Sequence, residues 1–104
     1  MINSGGVKVY PQKIEDAVAI IFKKLEITNR FFVSGIADDK LGEQVALIIE
    51  GTSLESETEE RAKSEMRLGL EKYESPRLIL YADTFLETDS QKIDRMKTLK
   101  TIKN

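Results

Sequence analysis

Residues 30–50 read Arg30-Phe31-Phe32-Val33-Ser34-Gly35-Ile36-Ala37-Asp38-Asp39-Lys40-Leu41-Gly42-Glu43-Gln44-Val45-Ala46-Leu47-Ile48-Ile49-Glu50. The first eight are rich in aromatic and β-branched residues, which fit a half-buried pleated surface, and they predict a strand from Arg30 to Ala37. Asp38-Asp39-Lys40 brings turn chemistry, because aspartate side chains bond their own backbone a residue or two ahead. Glu43 to Glu50 then reads as the partner strand. The stretch is an antiparallel hairpin with Gly42 in its loop.

Helices flank this hairpin. Pro11 suits the first residue of a helix, where its missing N–H would be unpaired anyway. Ile14, Val18, Ile21, Phe22 and Leu25 recur on one face of that helix. After the connection Gly51 to Leu54, Ser56 with Glu59 three residues on has the form of a capping box and predicts the start of a second helix. Its buried stripe is Ala62, Met66, Leu70 and Tyr73, and Glu74-Ser75-Pro76 ends it, since the residue before proline avoids helical angles. Leu78 to Tyr81 predicts a short buried strand. Residues 84–92 form a polar loop, and Ile93 to Ile102 a last helix with Met96 and Leu99 inward. With Ile2 to Lys8 taken as a loop, the order is loop, helix, strand, strand, helix, strand, loop, helix. That mixture lacks regular βαβ alternation and predicts an α+β fold: a small sheet of about three strands with helices packed on it, a single domain over 1–104.

A chain of 104 residues is long enough for one core and too short for two. With 40% hydrophobic and 33% charged residues it is an ordinary folded composition, not a disordered one. Cysteine and histidine are both absent. That removes disulfides, thiolate metal sites, imidazole bases and the usual nucleophilic triads. No apolar run reaches the ~18 residues of a membrane span, and the first residues do not look like a signal peptide, so the expected location is cytoplasmic. A net charge of -2 argues against nucleic acid as a partner. Glu55, Glu57, Glu59 and Glu60 crowd one stretch, and Lys92, Arg95, Lys97, Lys100 and Lys103 another. Both read first as solvated helix faces. Glu55 and Glu59 suit a helix N-terminus, and Asp38 and Asp39 are turn formers before they are metal ligands, so no metal site is expected.

Two features remain. The Ile2 to Lys8 stretch has a glycine pair but not the spacing of a phosphate loop, and such a pair more often relieves backbone strain in a turn. Lys92 sits at the mouth of the last helix, where unpaired N–H groups already attract anions. A cation there opposes the helix dipole, which hints at a use beyond the helix. It could also pair locally with Asp89 or Asp94, a contact worth about 0–1 kcal/mol.

Taken together, these ends carry a resemblance. Asn3-Ser4-Gly5-Gly6-Val7-Lys8-Val9-Tyr10-Pro11 with Ile14-Glu15, the Ala37-Asp38-Asp39 and Leu41-Gly42-Glu43 rhythm, Tyr73 with Pro76-Arg77, and Lys92 with Asp94-Arg95 are four separated anchors. They resemble the C-terminal domain of the adenylate-forming enzymes: acyl-CoA synthetases, adenylation domains of peptide synthetases, and luciferases. The resemblance spans the whole chain. Phe31-Phe32, Asp39-Lys40-Leu41-Gly42 and Phe85-Leu86-Glu87-Thr88 look most like o-succinylbenzoate–CoA ligases of menaquinone biosynthesis.

The resemblance implies a two-step ligase in which ATP and a carboxylic acid give an acyl-adenylate with Mg²⁺, and CoA then takes the acyl group. Lys92 is the implied adenylation lysine. Ser4, Gly5, Gly6 and Lys8 are the implied CoA-channel loop, brought in by a swing of this domain against its own N-terminal domain, which holds the ATP and substrate sites. On that reading the isolated chain binds no cofactor and is inactive. The family commonly has proline at the position of Leu86 and glycine at that of Gln91, so the missing glycine predicts a stiffer loop and a changed backbone angle before Lys92. The alternative reading is a stand-alone α+β module that binds a protein or carrier partner without catalysis.

Overall fold

The computed structural model describes residues 1–102; Lys103, the last of the basic run, lies outside the described residues. The predicted hairpin forms from β3 (Phe31–Asp38) and β4 (Gly42–Glu50), antiparallel in a register running from Phe31 opposite Ile49 to Asp38 opposite Gly42. On its other side β4 meets two strands. β1 (Ile2–Ser4) joins at Ser4 opposite Gly42, and β5 (Leu78–Ala82) runs parallel from Ala46 opposite Leu78 to Glu50 opposite Ala82. The parallel pair needs a crossover, which α2 (Ser56–Gly69) supplies. β2 (Val7–Val9) pairs with β1, giving a mixed five-stranded sheet instead of about three. The two extra strands have only three residues each, too few to show alternation in sequence. Yet Ile2 and Val9 face each other across that pair and are both buried.

β4 is buried on both faces, which explains its unbroken apolar run. Val45, Leu47 and Ile49 meet α1 (Pro11–Lys24) through Ile14, Val18, Ile21 and Phe22, and α2 through Met66. Ala46 and Ile48 face the other way, toward Phe32, Phe85 and, on α3 (Arg95–Thr101), Leu99. Each fully buried leucine, isoleucine or phenylalanine stabilises by about 1.5–3 kcal/mol. No described helix is long and apolar enough to cross a membrane.

Three local expectations are corrected. α2 starts at Ser56, but the capping box does not form: Glu55 is the N-cap and has no side-chain cap bond. Glu59 instead accepts a 2.8 Å bond from the Tyr81 hydroxyl, and burial together with this bond pushes that phenol up to about 12. α2 ends at Gly69, a poor helix former, so Leu70 packs against the core while Tyr73 is 46% exposed. The chain then turns over a Glu74 carboxylate that is buried and bonded to Lys13 at 2.7 Å. Finally, α3 begins at Arg95, because Asp94 accepts from the Lys97 N–H and caps it. This turns Met96 outward, 73% exposed, and puts Thr98 fully inside.

Candidate functional site

Lys92 lies in a small hairpin that the sequence showed only as loop. Glu87 bridges Ile93, the Thr88 N–H donates to the Lys92 carbonyl at 2.7 Å, and the Gln91 N–H donates to the Thr88 carbonyl at 2.9 Å. This is a turn followed by one left-handed residue, the G1-bulge form of a three-residue hairpin loop. The left-handed residue is Gln91, with φ 64°. Glutamine here holds the left-handed conformation that the bulge position favours for glycine, at the expense of strain. Thr88 Oγ1 accepts from the Lys92 N–H and contacts Ser90 Oγ, tightening the loop. The Leu86 N–H donates to Thr98 Oγ1 at 3.0 Å, a bond that proline could not make. Lys92 is exposed, two residues ahead of the helix cap, and among the described residues neither Asp89 nor Asp94 pairs with it. Gln91→Gly is expected to stabilise the domain by about 0.5–1 kcal/mol, the relief of left-handed strain less the entropy of glycine. Gln91→Val should lose about 1–2 kcal/mol, because β-branching resists that angle. Thermal unfolding of the three proteins checks both.

The base of this hairpin is tied to the sheet. Arg30 holds Glu50 through Nε at 2.9 Å and Nη2 at 2.7 Å, and holds Glu87 through Nη1 at 2.7 Å. Glu50 also accepts the Phe85 N–H at 2.8 Å, and Arg30 lies over the Phe85 ring. The Arg30 bonds and then the Phe85 N–H hold the Glu50 carboxyl down at about 2, while Arg30 is raised above its already high value. Because the folded value lies below the ordinary 4.5, this stabilisation is full above pH 4.5 and is lost as pH falls toward 2. Between those limits wild type should lose more thermal stability than Glu50→Gln, and melting curves from pH 6 to pH 2 measure the difference.

A second tie joins residues eighty apart. Glu15, on α1, is buried, and its carboxylate accepts from the Val33 N–H at 2.8 Å and from Arg95 Nη1 and Nη2 at 2.8 and 3.1 Å. Arg95 also covers the Phe32 ring. The first helical residue after the Lys92 hairpin is therefore fixed to the opposite layer. No apolar periodicity could have shown this; the only sequence signal was that both residues belong to the anchors quoted above.

Ser4, Gly5 and Gly6 come together in the β1–β2 turn. Gly5 has φ 58° and Gly6 φ 84°, the two positive angles of a type I′ turn, which favours glycine at both places. The Gly5 N–H donates to the Leu41 carbonyl at 2.8 Å, and a Cβ at Gly5 would come within 3.3 Å of the Leu41 side chain, whereas Gly6 faces open space. Lys8 is exposed on β2. The structure does not bring this turn and Lys92 together. The turn is bonded to Leu41, beside the start of β4, and the Lys92 hairpin is tied to Glu50, at its end. Eight residues of strand separate the two anchors, roughly 25 Å.

A groove that no sequence pattern shows lies between α2 and β5. It is about 740 Å³, floored by Met66, Leu70, Pro76 and Ile79 and rimmed by Lys63, Arg67, Lys72 and Arg77. The Arg77 N–H bonds the Val45 carbonyl, so one wall of the groove is tied to the middle of β4. Its four cations are scattered over fifteen residues of sequence and meet only in the fold. Such a surface suits a polyanion with an apolar part. Among the described residues no group of three or more acidic side chains could hold a metal ion, so Mg²⁺ has no ligand set there.

The chain matches no family profile. The mitochondrial medium-chain acyl-CoA ligase of Rattus norvegicus is 32% identical over 97 residues, 93% of this chain and 15% of that ligase. The crystal structure of an acyl-CoA synthetase (AMP-forming)/AMP-acid ligase II-like protein from Dyadobacter fermentans superposes with a TM-score of 0.88 at 39% identity, over 94% of this chain and 28% of that one. Both of these similar proteins are acyl-CoA ligases or synthetases, the second of them AMP-forming. The α+β fold is that of the C-terminal domain of these synthetases. The o-succinylbenzoate CoA synthetase of Bacillus subtilis, solved with its acyl-adenylate, shares the fold with a TM-score of 0.71 at 24% identity, over 92% of this chain and 19% of that one. The chain thus spans less than a third of each of these acyl-CoA synthetases.

Proposed function

We propose that this chain is the mobile C-terminal domain of an ATP-dependent, AMP-forming acid–CoA ligase, working against an N-terminal domain that binds ATP and a carboxylic acid. The observation that carries the reading is the separation of the two loops. A single active site next door can meet the Lys92 hairpin or the Gly5-Gly6 turn, but not both without a rotation of this domain. In the first step the acid's carboxylate attacks the α-phosphorus of ATP and pyrophosphate leaves. Lys92 then offsets the negative charge that gathers as two anions meet. In the second step the CoA thiolate attacks the acyl carbon and AMP leaves, with Ser4, Gly5 and Gly6 leaving room for the pantetheine arm. Lys8 and the cations of the groove suit CoA's phosphates. Mg²⁺ would be held by ATP and the N-terminal domain, and the isolated chain would catalyse neither step.

Gly6→Asn in the full-length enzyme tests this. Asparagine tolerates the left-handed angle, so the turn survives while a side chain enters the open space at Gly6. Thioester formation should slow at least tenfold and adenylate formation should hold; equal loss in both would make the glycine purely structural. For the acyl group, the resemblance of Phe31-Phe32 and Phe85-Leu86-Glu87-Thr88 supports o-succinylbenzoate, in a cytoplasmic menaquinone route. AMP release from a panel that also contains medium-chain fatty acids decides it.

A further inference from the structure

Lys92 stands on an exposed hairpin, so its direction is set where the hairpin joins the body. One attachment runs to α3: the Asp94 N–H donates to the Leu86 carbonyl, and the Leu86 N–H to Thr98. The other is Arg30, just before β3. Its three donor contacts go to Glu50, the last residue of β4, and to Glu87, the residue that pairs with Ile93 across the hairpin base. The Glu50 carboxylate also takes the Phe85 N–H, two residues upstream of Glu87. Among the described residues, the side-chain hydrogen bonds of Arg30 and Glu50 outside their own pair therefore all go to the segment entering the hairpin.

We infer that Arg30, fixed by Glu50, is a positioning residue for Lys92: its guanidinium fork on Glu50 and Glu87 sets the angle at which the hairpin leaves the sheet. The inference rests on the reading that Lys92 acts in adenylation. A tilt of roughly 6° at the base moves a charge about 10 Å away by about 1 Å, and a misplacement of that size can cost up to about a hundredfold in rate. The planar fork matters because it joins two carboxylates at fixed directions, which a lysine ammonium cannot do.

The test is a set of variants of the full-length enzyme, with the two half-reactions assayed apart. Arg30→Met should slow adenylate formation on the order of tenfold and leave thioester formation from pre-made acyl-adenylate unchanged. Arg30→Lys should recover only part of that loss. Combined with Lys92→Ala, Arg30→Met should add no further loss, because a misaimed charge matters only while the charge is there. Losses that multiply in the double variant, or that fall equally on both half-reactions, overturn the positioning role. Should Arg30→Met not fold, Glu87→Gln, at a 44% exposed side chain, carries the same test. It should slow adenylation alone by about threefold, and an unchanged rate overturns the inference. If Lys92→Ala itself leaves adenylation intact, the assignment of Lys92 has failed, and this inference with it; a slow Lys92→Ala beside a normal Arg30→Met overturns the positioning role alone.

Discussion

Lys92→Ala in the full-length enzyme should cut adenylate formation by roughly a hundredfold or more while leaving the thioester step from pre-made adenylate unchanged. A unit charge 4 Å from the reacting anions, at an effective dielectric of about 20, contributes roughly 4 kcal/mol, or about a thousandfold in rate if it acts only in the transition state. The lysine is exposed on its own domain, so solvent takes part of this and the lower figure is the one expected. Lys92→Arg should restore only part, because a planar guanidinium cannot place its charge as a compact point. Single-turnover formation of acyl-adenylate, measured beside thioester release, separates the two steps. Intact adenylation in Lys92→Ala would leave Lys92 a surface charge.

Glu15→Ala is expected to have the largest effect on stability, about 3 kcal/mol. It removes the acceptor of three bonds at once: the Val33 N–H and two from Arg95. Arg95 is half exposed and can turn to water, which keeps the loss at the low end for a broken buried pair. For a domain of this size the change lowers the melting temperature by roughly 12–24 °C. Arg95→Ala should cost a similar amount by the opposite route, leaving a buried carboxylate with a single partner. A shift of only a few degrees for either variant would mean that water replaces the pair without penalty.

Much of this was readable in the sequence. Pro11 opened α1 where it does, the stripe Ile14, Val18, Ile21 and Phe22 is its buried face, and the β3–β4 hairpin forms in the expected place. Those elements are long enough for periodicity to speak. β1 and β2 were not, although the turn role expected of their glycine pair holds, as a type I′ turn. The last helix was misjudged because an apolar count cannot anticipate a buried threonine. Thr98 is inside since the Leu86 N–H needs its hydroxyl, and that need arises from a residue twelve positions away. Lys92 stood out by resemblance and by its place ahead of the last helix. The ties at the base of its hairpin, from Arg30 to Glu50 and Glu87, are a tertiary arrangement with no local mark.

The bond between Glu15 and the Val33 N–H bears on how copies of this protein treat one another. Among the described residues β3 pairs only with β4, so its outer side presents a row of backbone groups, the template on which a second chain could add a strand. Glu15 occupies one of those donors from α1, and Arg95 closes over the same place from the other layer. A strand arriving at Val33 would meet a carboxylate and a guanidinium where it needs a free N–H. The pair that holds the two layers together thus also guards the sheet against edge-to-edge aggregation.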